Sequence, residues 1–234
     1  MKSGSRHIVL ILVAALIIAL AGTLYLTADR IAIYAISRTC NIAIAYGTMK
    51  SESLRRFDFT DFLLTDKKTG VGLLAKTAVV KPLWNDILAG KMAIDFKLTD
   101  VSFIKKHDEK QDDFETFEGL AALPFSSQWT YLHLSGALET SNGDIHLQDL
   151  KAESDVIKFT VTGDFRSDAD IDSDITVYFS DALFAKIPKK YIKGVLKDEG
   201  DGWQSFSMKI KGNYKSPSIQ VTGRQFRLNI GVSP

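Results

Sequence analysis

Residues 91–105 read KMAIDFKLTDVSFIK, in which large apolar side chains recur at every second position. The apolar positions are Met92, Ile94, Phe96 and Leu98, and they alternate with Ala93, Asp95, Lys97 and Thr99. Successive side chains of a β-strand point to opposite faces of its sheet. This period of two therefore predicts a strand with one apolar and one polar face, as in an antiparallel sheet.

A second pair of strands is predicted around Asn142-Gly143, because this dipeptide favours a two-residue hairpin turn. With these two residues in the turn, Leu138 faces Leu147 and His146 faces Glu139. The apolar residues that this register places on one face are Leu132, Leu134, Leu138, Ile145 and Leu147. Together with Met92, Ile94, Phe96 and Leu98, they are the candidates for an apolar groove.

Similar patterns along the chain predict about ten to twelve strands joined by short turns. In residues 53–65, the spacing of Phe57, Phe59 and Phe62 predicts a bulge or a crossing. Pro82–Gly90 is predicted to form a helical turn, Ser180–Leu196 a helix broken at Pro188, and 197–202 a turn. The predicted fold is mainly β, with two short helical pieces and a curved antiparallel sheet that forms either a half-pipe or a sandwich.

The sheet is preceded by an uncharged run, Ile8 to Leu26, with the sequence IVLILVAALIIALAGTLYL. As a helix it would measure roughly 29 Å, close to the thickness of a bilayer's hydrocarbon core. Lys2 and Arg6 precede it, which predicts a cytoplasmic tail over 1–7 and a transmembrane helix over 8–26. A membrane-proximal helix over 27–38 and an exported β domain over 39–234 follow. The alternative is a signal peptide cleaved after Ala21.

Composition and motifs argue against several classes of function. The 29 basic and 28 acidic residues give a net charge of only +1, so no nucleic-acid partner is expected. His133 and His146 would lie about 20 Å apart in the predicted hairpin, too far to share a metal. The aspartates at 168, 170, 172 and 174 lack the glycine and glutamate of a calcium loop. No catalytic motif is present, so neither an enzyme nor a metal or cofactor site is predicted.

Four lysines cluster near the end of the predicted second helix: Lys189, Lys190, Lys193 and Lys197. A basic helix face of this kind can contact an anionic membrane or a partner protein. The alternative is a helix face that is simply solvated.

The order of these segments resembles the N-terminal region of AsmA-like proteins. The resemblance covers residues 8–106, through the segments LRRFDFTDFLLTD, AKTAVVKPLWNDILAGK and MAIDFKLTDVSFIKK. The C-terminal segment WQSFSMKIKGNYKSPSIQVTG, residues 203–223, is similar to the closing repeat of that family. In part, the chain also resembles the type II secretion N protein. It lacks the long middle region of most AsmA-like proteins.

The resemblance implies a single-pass protein of the inner membrane of a diderm bacterium, with its C-terminal domain in the periplasm. The first hypothesis is lipid homeostasis or transfer, in which a phospholipid or glycolipid lies along the apolar groove. The second is a scaffold subunit of an envelope machine, which requires a covered core and an exposed sheet edge for other envelope proteins or further copies. An envelope enzyme is the third.

Overall fold

The fold is known from a computed structural model. It describes residues 30, 33, 34, 37, 42–68, 70–83, 91–104, 123–141, 144–168, 170–185, 187, 194–213, 216–224 and 227–231. The strands are β1 (Ile42–Ala45), β2 (Thr48–Glu52), β3 (Arg56–Asp66), β4 (Gly72–Leu83), β5 (Lys91–Ile104), β6 (Thr130–Ser141), β7 (Asp144–Glu153), β8 (Ile157–Phe165), β9 (Asp170–Ser180), β10 (Lys197–Gly200), β11 (Trp203–Asn213), β12 (Ser218–Thr222) and β13 (Arg227–Gly231).

The described strands form one open antiparallel sheet. Its order is β1-β3-β4-β5-β6-β7-β8-β9-β11-β12-β13, with β2 paired to β3 and β10 paired to β11. Most strands therefore pair with their neighbours in sequence, as short connections favour. The mainly β prediction is confirmed, and a sandwich of two sheets is not what these strands form.

The hairpin formed by β6 and β7 has the predicted register. Leu138 pairs with Leu147, Glu139 with His146, and Ser141 with Asp144. The turn residues 142–143 themselves lie outside the described part of the chain. The Asn142-Gly143 dipeptide was sufficient to predict this register. A shift by one residue would have turned the whole apolar set to the other face.

The pleat of the sheet shifts along a line that crosses β3, β4, β5 and β6. In each strand, two residues instead of one separate a pair of buried side chains; these pairs are Phe59/Phe62, Ala75/Ala78, Leu98/Val101 and Tyr131/Leu134. The four pairs lie in register across the sheet. Asp61 and Asp100 occupy the shift in β3 and β5 with positive φ angles of 49° and 50°. The irregularity predicted between Phe59 and Phe62 is confirmed.

A separate bulge lies in β7 at Asp149, where φ is 47° and the register shifts against both neighbouring strands. Bulges bend a strand and increase its twist. The sheet is correspondingly curved: the rings of Phe103 on β5 and Phe159 on β8 lie 6.4 Å apart between centroids. In a flat sheet, three strand spacings would separate these two strands by roughly 14 Å.

The buried side chains form one core on the inner, concave face of the sheet. Its largest fully buried members are Tyr131, Phe159, Phe179, Phe206 and Leu123. A 3-10 turn at Leu123–Phe125 and a short helix at Asp181–Phe184 follow β5 and β9 in the chain. Leu183 and Ile187 are buried, as the predicted inward face of the second helical piece requires.

Three predicted connections differ from the structure. Of the helix predicted over Ser180–Leu196, Ser180 belongs to β9, the described helix is Asp181–Phe184, and Ala185, Ile187 and Leu196 are not helical. Pro82 and Leu83 belong to β4 and not to a helical turn, while 84–90 lie outside the described residues. β4 pairs with β3 only as far as Val80, so β5 is the single described neighbour of β4 at Pro82, and proline is tolerated at such edge positions. Residues 197–200 form β10 rather than part of a turn, and they pair with β11.

The predicted transmembrane run, Ile8 to Leu26, lies outside the described residues. Among the residues that are described, no helix is long and apolar enough to cross a membrane. Residues 30, 33, 34 and 37 of the predicted membrane-proximal segment are helical. The predicted anchor and its orientation therefore stay predictions.

Replacing Asp100 tests the pleat shift. In this left-handed conformation, residues other than glycine, asparagine and aspartate are less stable by about 1–2 kcal/mol. We expect Asp100→Val to lower the free energy of unfolding of the full chain by that amount, and Asp100→Gly to leave it unchanged or raised. Urea denaturation followed by tryptophan fluorescence measures both. Asp95→Val, on the same strand, is the matched control, and an equal loss in this variant would contradict the role of the shift.

Candidate functional site

The candidate groove residues on β5, β6 and β7 fall into two groups. Leu98 and Leu134 pair with each other and are buried in the core. The side chains of Ile94, Phe96, Leu138 and Leu147 are only partly buried, and Met92 pairs with Thr140. The inner face thus has a closed half, near Leu98, and a more open half toward Lys91 and Ser141.

Leu132 does not share the buried face with Leu134. Its side chain is 48% exposed, between buried Tyr131 and buried Leu134. It lies opposite Asp100 in the pleat shift, where two residues instead of one separate the inward side chains. Simple alternation along β6 predicted Leu132 on the apolar face because it does not reveal this shift.

The closed half is covered by the 3-10 turn. The Tyr131 hydroxyl donates a hydrogen bond of 2.6 Å to the carbonyl oxygen of Pro124, and Leu123 and Pro124 are fully buried. The ring of Phe125 lies 5.7 Å from that of Phe103 and 5.2 Å from that of Phe159. Burial raises the pKa of Tyr131, which keeps the hydroxyl neutral and able to donate. These groups occupy the space that a ligand would need in this half.

The open half ends in a cleft of about 650 Å³, which is lined by residues at the adjoining ends of β4 to β8 and by Arg166. Leu83 and Ile145 contribute exposed apolar surface, and Ile145 is 39% exposed. Lys91, Glu139, Asp144 and Arg166 add charges of both signs. This volume and mixed lining suit a small amphipathic ligand.

Two acidic side chains of the cleft, Asp164 and Asp144, have hydrogen-bonding partners. His146 Nδ1 lies 2.5 Å from Asp164 Oδ1 across β7 and β8. The Ser167 backbone N–H donates to Asp144 at 2.8 Å, and this hydrogen bond lowers the pKa of Asp144. The cleft therefore holds a charged Asp144 at neutral pH.

Two of the four aspartates whose spacing was compared with a calcium loop, Asp172 and Asp174, form ion pairs with lysines on the outer face. Lys209 Nζ lies 3.1 Å from Asp174 and 3.7 Å from Asp172, and Lys211 Nζ lies 2.9 Å from Asp172. The hydrogen bond from Lys211 lowers the pKa of Asp172. Among the described residues, no group of three or more histidine, cysteine, aspartate or glutamate side chains is placed to hold a metal ion.

Three of the four clustered lysines, Lys189, Lys190 and Lys193, lie outside the described residues. Lys197 begins β10, and its Nζ lies 3.0 Å from Glu199 Oε1. It is therefore a strand residue with an acidic neighbour, and not part of a basic helix face.

The two edges of the sheet differ. In the described chain β13 pairs with β12 alone, so the backbone groups on its outer side face no other described strand. The opposite edge is divided into β1 and β2, which are separated at Tyr46 and Gly47 and both pair with β3. Sequence reasoning did not identify either edge, because edge position depends on the order of all the strands.

No family model, curated protein or solved structure matches the chain. The resemblance to AsmA-like proteins and its implied function stay predictions.

Tyr131→Phe tests the cover of the closed half. The substitution leaves the buried Pro124 carbonyl without its donor, so we expect the free energy of unfolding to fall by about 1–3 kcal/mol. Tyr178→Phe, at another tyrosine of the sheet, is the matched control. An equal loss of stability in both variants would contradict the stabilising role of the hydrogen bond from Tyr131 to Pro124.

The same variant gives a pH test. A tyrosine whose pKa is raised by burial contributes stability that is complete below its unfolded pKa of about 10 and declines as the pH rises toward the folded value. Urea denaturation from pH 8 to 11 should show a decline in the wild type above about pH 10 that is smaller in Tyr131→Phe. Identical pH profiles would exclude this role of Tyr131.

Proposed function

We propose that the chain is a membrane-anchored scaffold subunit of an envelope assembly, which binds a partner by adding a strand to β13. The observation that carries the proposal is the combination of a closed core with an open sheet edge. The inner face is covered near Tyr131, while β13 pairs with β12 alone among the described strands. Strand addition to such an edge provides affinity through backbone hydrogen bonds.

The sequence of β13 favours this edge over the opposite one. Its five residues, RLNIG, contain no proline, and their single charged residue is Arg227 at the start of the strand; proline and charged residues commonly protect an edge. Leu228 pairs with Val221 and Ile230 with Ile219, so an apolar pattern continues to the last strand. The opposite edge is interrupted and carries Lys50 and Glu52 on β2. We therefore expect a partner strand of alternating apolar and polar residues at β13.

Proline scanning of β13 tests this proposal. Backbone N–H groups alternate between the two sides of an antiparallel strand, and proline removes one of them. Leu228→Pro, Asn229→Pro and Ile230→Pro are introduced in turn in the full chain, with a photo-crosslinking residue at Arg227. Prolines that remove outward N–H groups should abolish crosslinking at an unchanged melting temperature. Those that remove bonds to β12 should lower the melting temperature.

Alanine at the same three positions is the control for side-chain loss, and a crosslinker at Lys50 is the control for the opposite edge. Strand addition requires the proline effect to alternate along β13. Equal crosslinking from Arg227 and Lys50, or crosslinking that every well-folded proline variant retains, would reject it.

Binding of an amphipathic lipid is the second candidate function, and the cleft beside Ile145 favours it. Acyl carbons would lie on the partly buried Ile94, Leu138 and Leu147, with the head group near Lys91 and Arg166. However, the cleft lies at the opposite end of the strands from Ile42, which follows the helical residues 30, 33, 34 and 37. A strand of 14 residues such as β5 spans roughly 46 Å. A lipid in this cleft would therefore come from a partner and not directly from the membrane that holds the anchor.

Introducing a charged side chain at position 145 tests lipid binding. Ile145→Lys should weaken binding of a fluorescent phospholipid to the delipidated full chain by about tenfold, because it removes most of one apolar side chain's contact. Leu132→Lys is the matched control, since Leu132 is similarly exposed but does not line the cleft. If both variants bind as the wild type does, or if the wild type binds no phospholipid, this second function is excluded.

A further inference from the structure

One corner of the sheet joins the helical segment that precedes β1. Lys67 Nζ, in the turn between β3 and β4, lies 3.3 Å from the Ser37 carbonyl oxygen. The Ser37 hydroxyl donates a hydrogen bond of 2.6 Å to the Ile42 carbonyl. Ile33, one helical turn earlier, packs against the hydrophobic core. Ile33 and Ser37 are therefore held against the sheet by three separate contacts.

The surface beside this junction is both apolar and basic. Val71 is 51% exposed and Leu74 45% exposed, and Tyr34 is the most exposed large hydrophobic residue described. Lys67 and Lys68 are exposed in the adjoining turn. These five residues, Tyr34, Lys67, Lys68, Val71 and Leu74, are called the basic corner below. Exposed aromatic and aliphatic groups beside lysines are typical of surfaces that lie in a membrane interface.

The basic corner lies close in sequence to the proposed anchor. Ten residues lie between Leu26, the last residue of the uncharged run, and Ser37. As a helix, the rise from Leu26 to Ser37 would be at most roughly 16 Å. The head-group layer of one leaflet is about 5–8 Å deep, so a tilted segment would bring Ser37 close to the membrane surface. Because Ser37 contacts Lys67, the turn between β3 and β4 would lie at that same height.

Charge confines this surface to one corner. Other described turns at the same end of the strands carry exposed acidic residues: Asp155 between β7 and β8, Asp181 after β9, and Asp201 between β10 and β11. An anionic surface would repel these turns and attract Lys67 and Lys68.

We propose that the basic corner contacts the surface of an anionic lipid bilayer and so fixes how the sheet stands on the membrane. The inference rests on the membrane anchor of the proposed function, but it is independent of strand addition at β13. The occupant is a bilayer and not a soluble partner, because the contacts of Ser37 hold the corner beside the chain segment that leads to the uncharged run.

Quenching by spin-labelled lipids tests this contact. The full chain carrying Cys40→Ser and a single new cysteine is labelled with a fluorophore and reconstituted into vesicles that contain lipids with a nitroxide head group. The label is placed at Val71, or at Ser167 as a control in the turn between β8 and β9 at the far end of the sheet, or at Asp155 as a control at the same end. In phosphatidylglycerol vesicles, we expect several-fold stronger quenching at Val71 than at either control.

Changing the charge of the lipid or of the protein then distinguishes contact of the basic corner with the bilayer from tethering by the anchor alone. Quenching at Val71 should weaken in phosphatidylcholine vesicles, at high salt, and in Lys67→Glu/Lys68→Glu. Quenching equal to that at Ser167, or unaffected by all three changes, would overturn the inference. A chain that does not float with the vesicles would instead disprove the anchor itself, whereas a floating chain with an unquenched Val71 label leaves the scaffold proposal intact.

Discussion

The structure depends on the line of pleat shifts through β3 to β6. A single sheet has no second layer against which to bury its apolar face, so its described strands must curve for their side chains to meet one another. Aspartates with positive φ at positions 61 and 100 allow this, because aspartate tolerates the left-handed conformation better than most residues. The bulge at Asp149 adds a further bend in β7. As a result, rings from β5 and β8 come within 6.4 Å of each other.

The curvature of the sheet also divides its inner face into a closed half and an open half. Near Tyr131 the converging strands and the 3-10 turn leave fully buried aromatic side chains, which contribute stability and no binding space. Toward the connection between β6 and β7, the inner side chains are partly buried and the cleft begins. A continuous apolar groove along the strands is therefore interrupted by the protein's own side chains. Among the described residues, the cleft, the outer side of β13 and the basic corner are the candidate binding features.

Local patterns predicted the β class, the β6–β7 register and the irregularity in β3, because each is encoded by residues close in sequence. In β5 the same shift is visible as a spacing of three residues between Leu98 and Val101. Asp100, which lies between them, would also fit the polar face of a regular strand. For this reason, simple alternation predicted Leu132 on the wrong face of the sheet. The hydrogen bond from Tyr131 to Pro124 and the contact of Lys67 with Ser37 join segments that no short pattern relates. The cleft and the edge at β13 likewise depend on the order of all the strands.

The two proposed functions make different demands on how the sheet stands on a membrane. If the basic corner faces the bilayer, the strands run away from the surface and begin there with their closed half. Passage of a lipid along the strands would therefore begin where Tyr131 and Leu123 fill the inner face. Addition of a partner strand to β13, by contrast, extends the sheet and leaves the core intact. The geometry that the anchor would impose therefore favours a scaffold over a conduit.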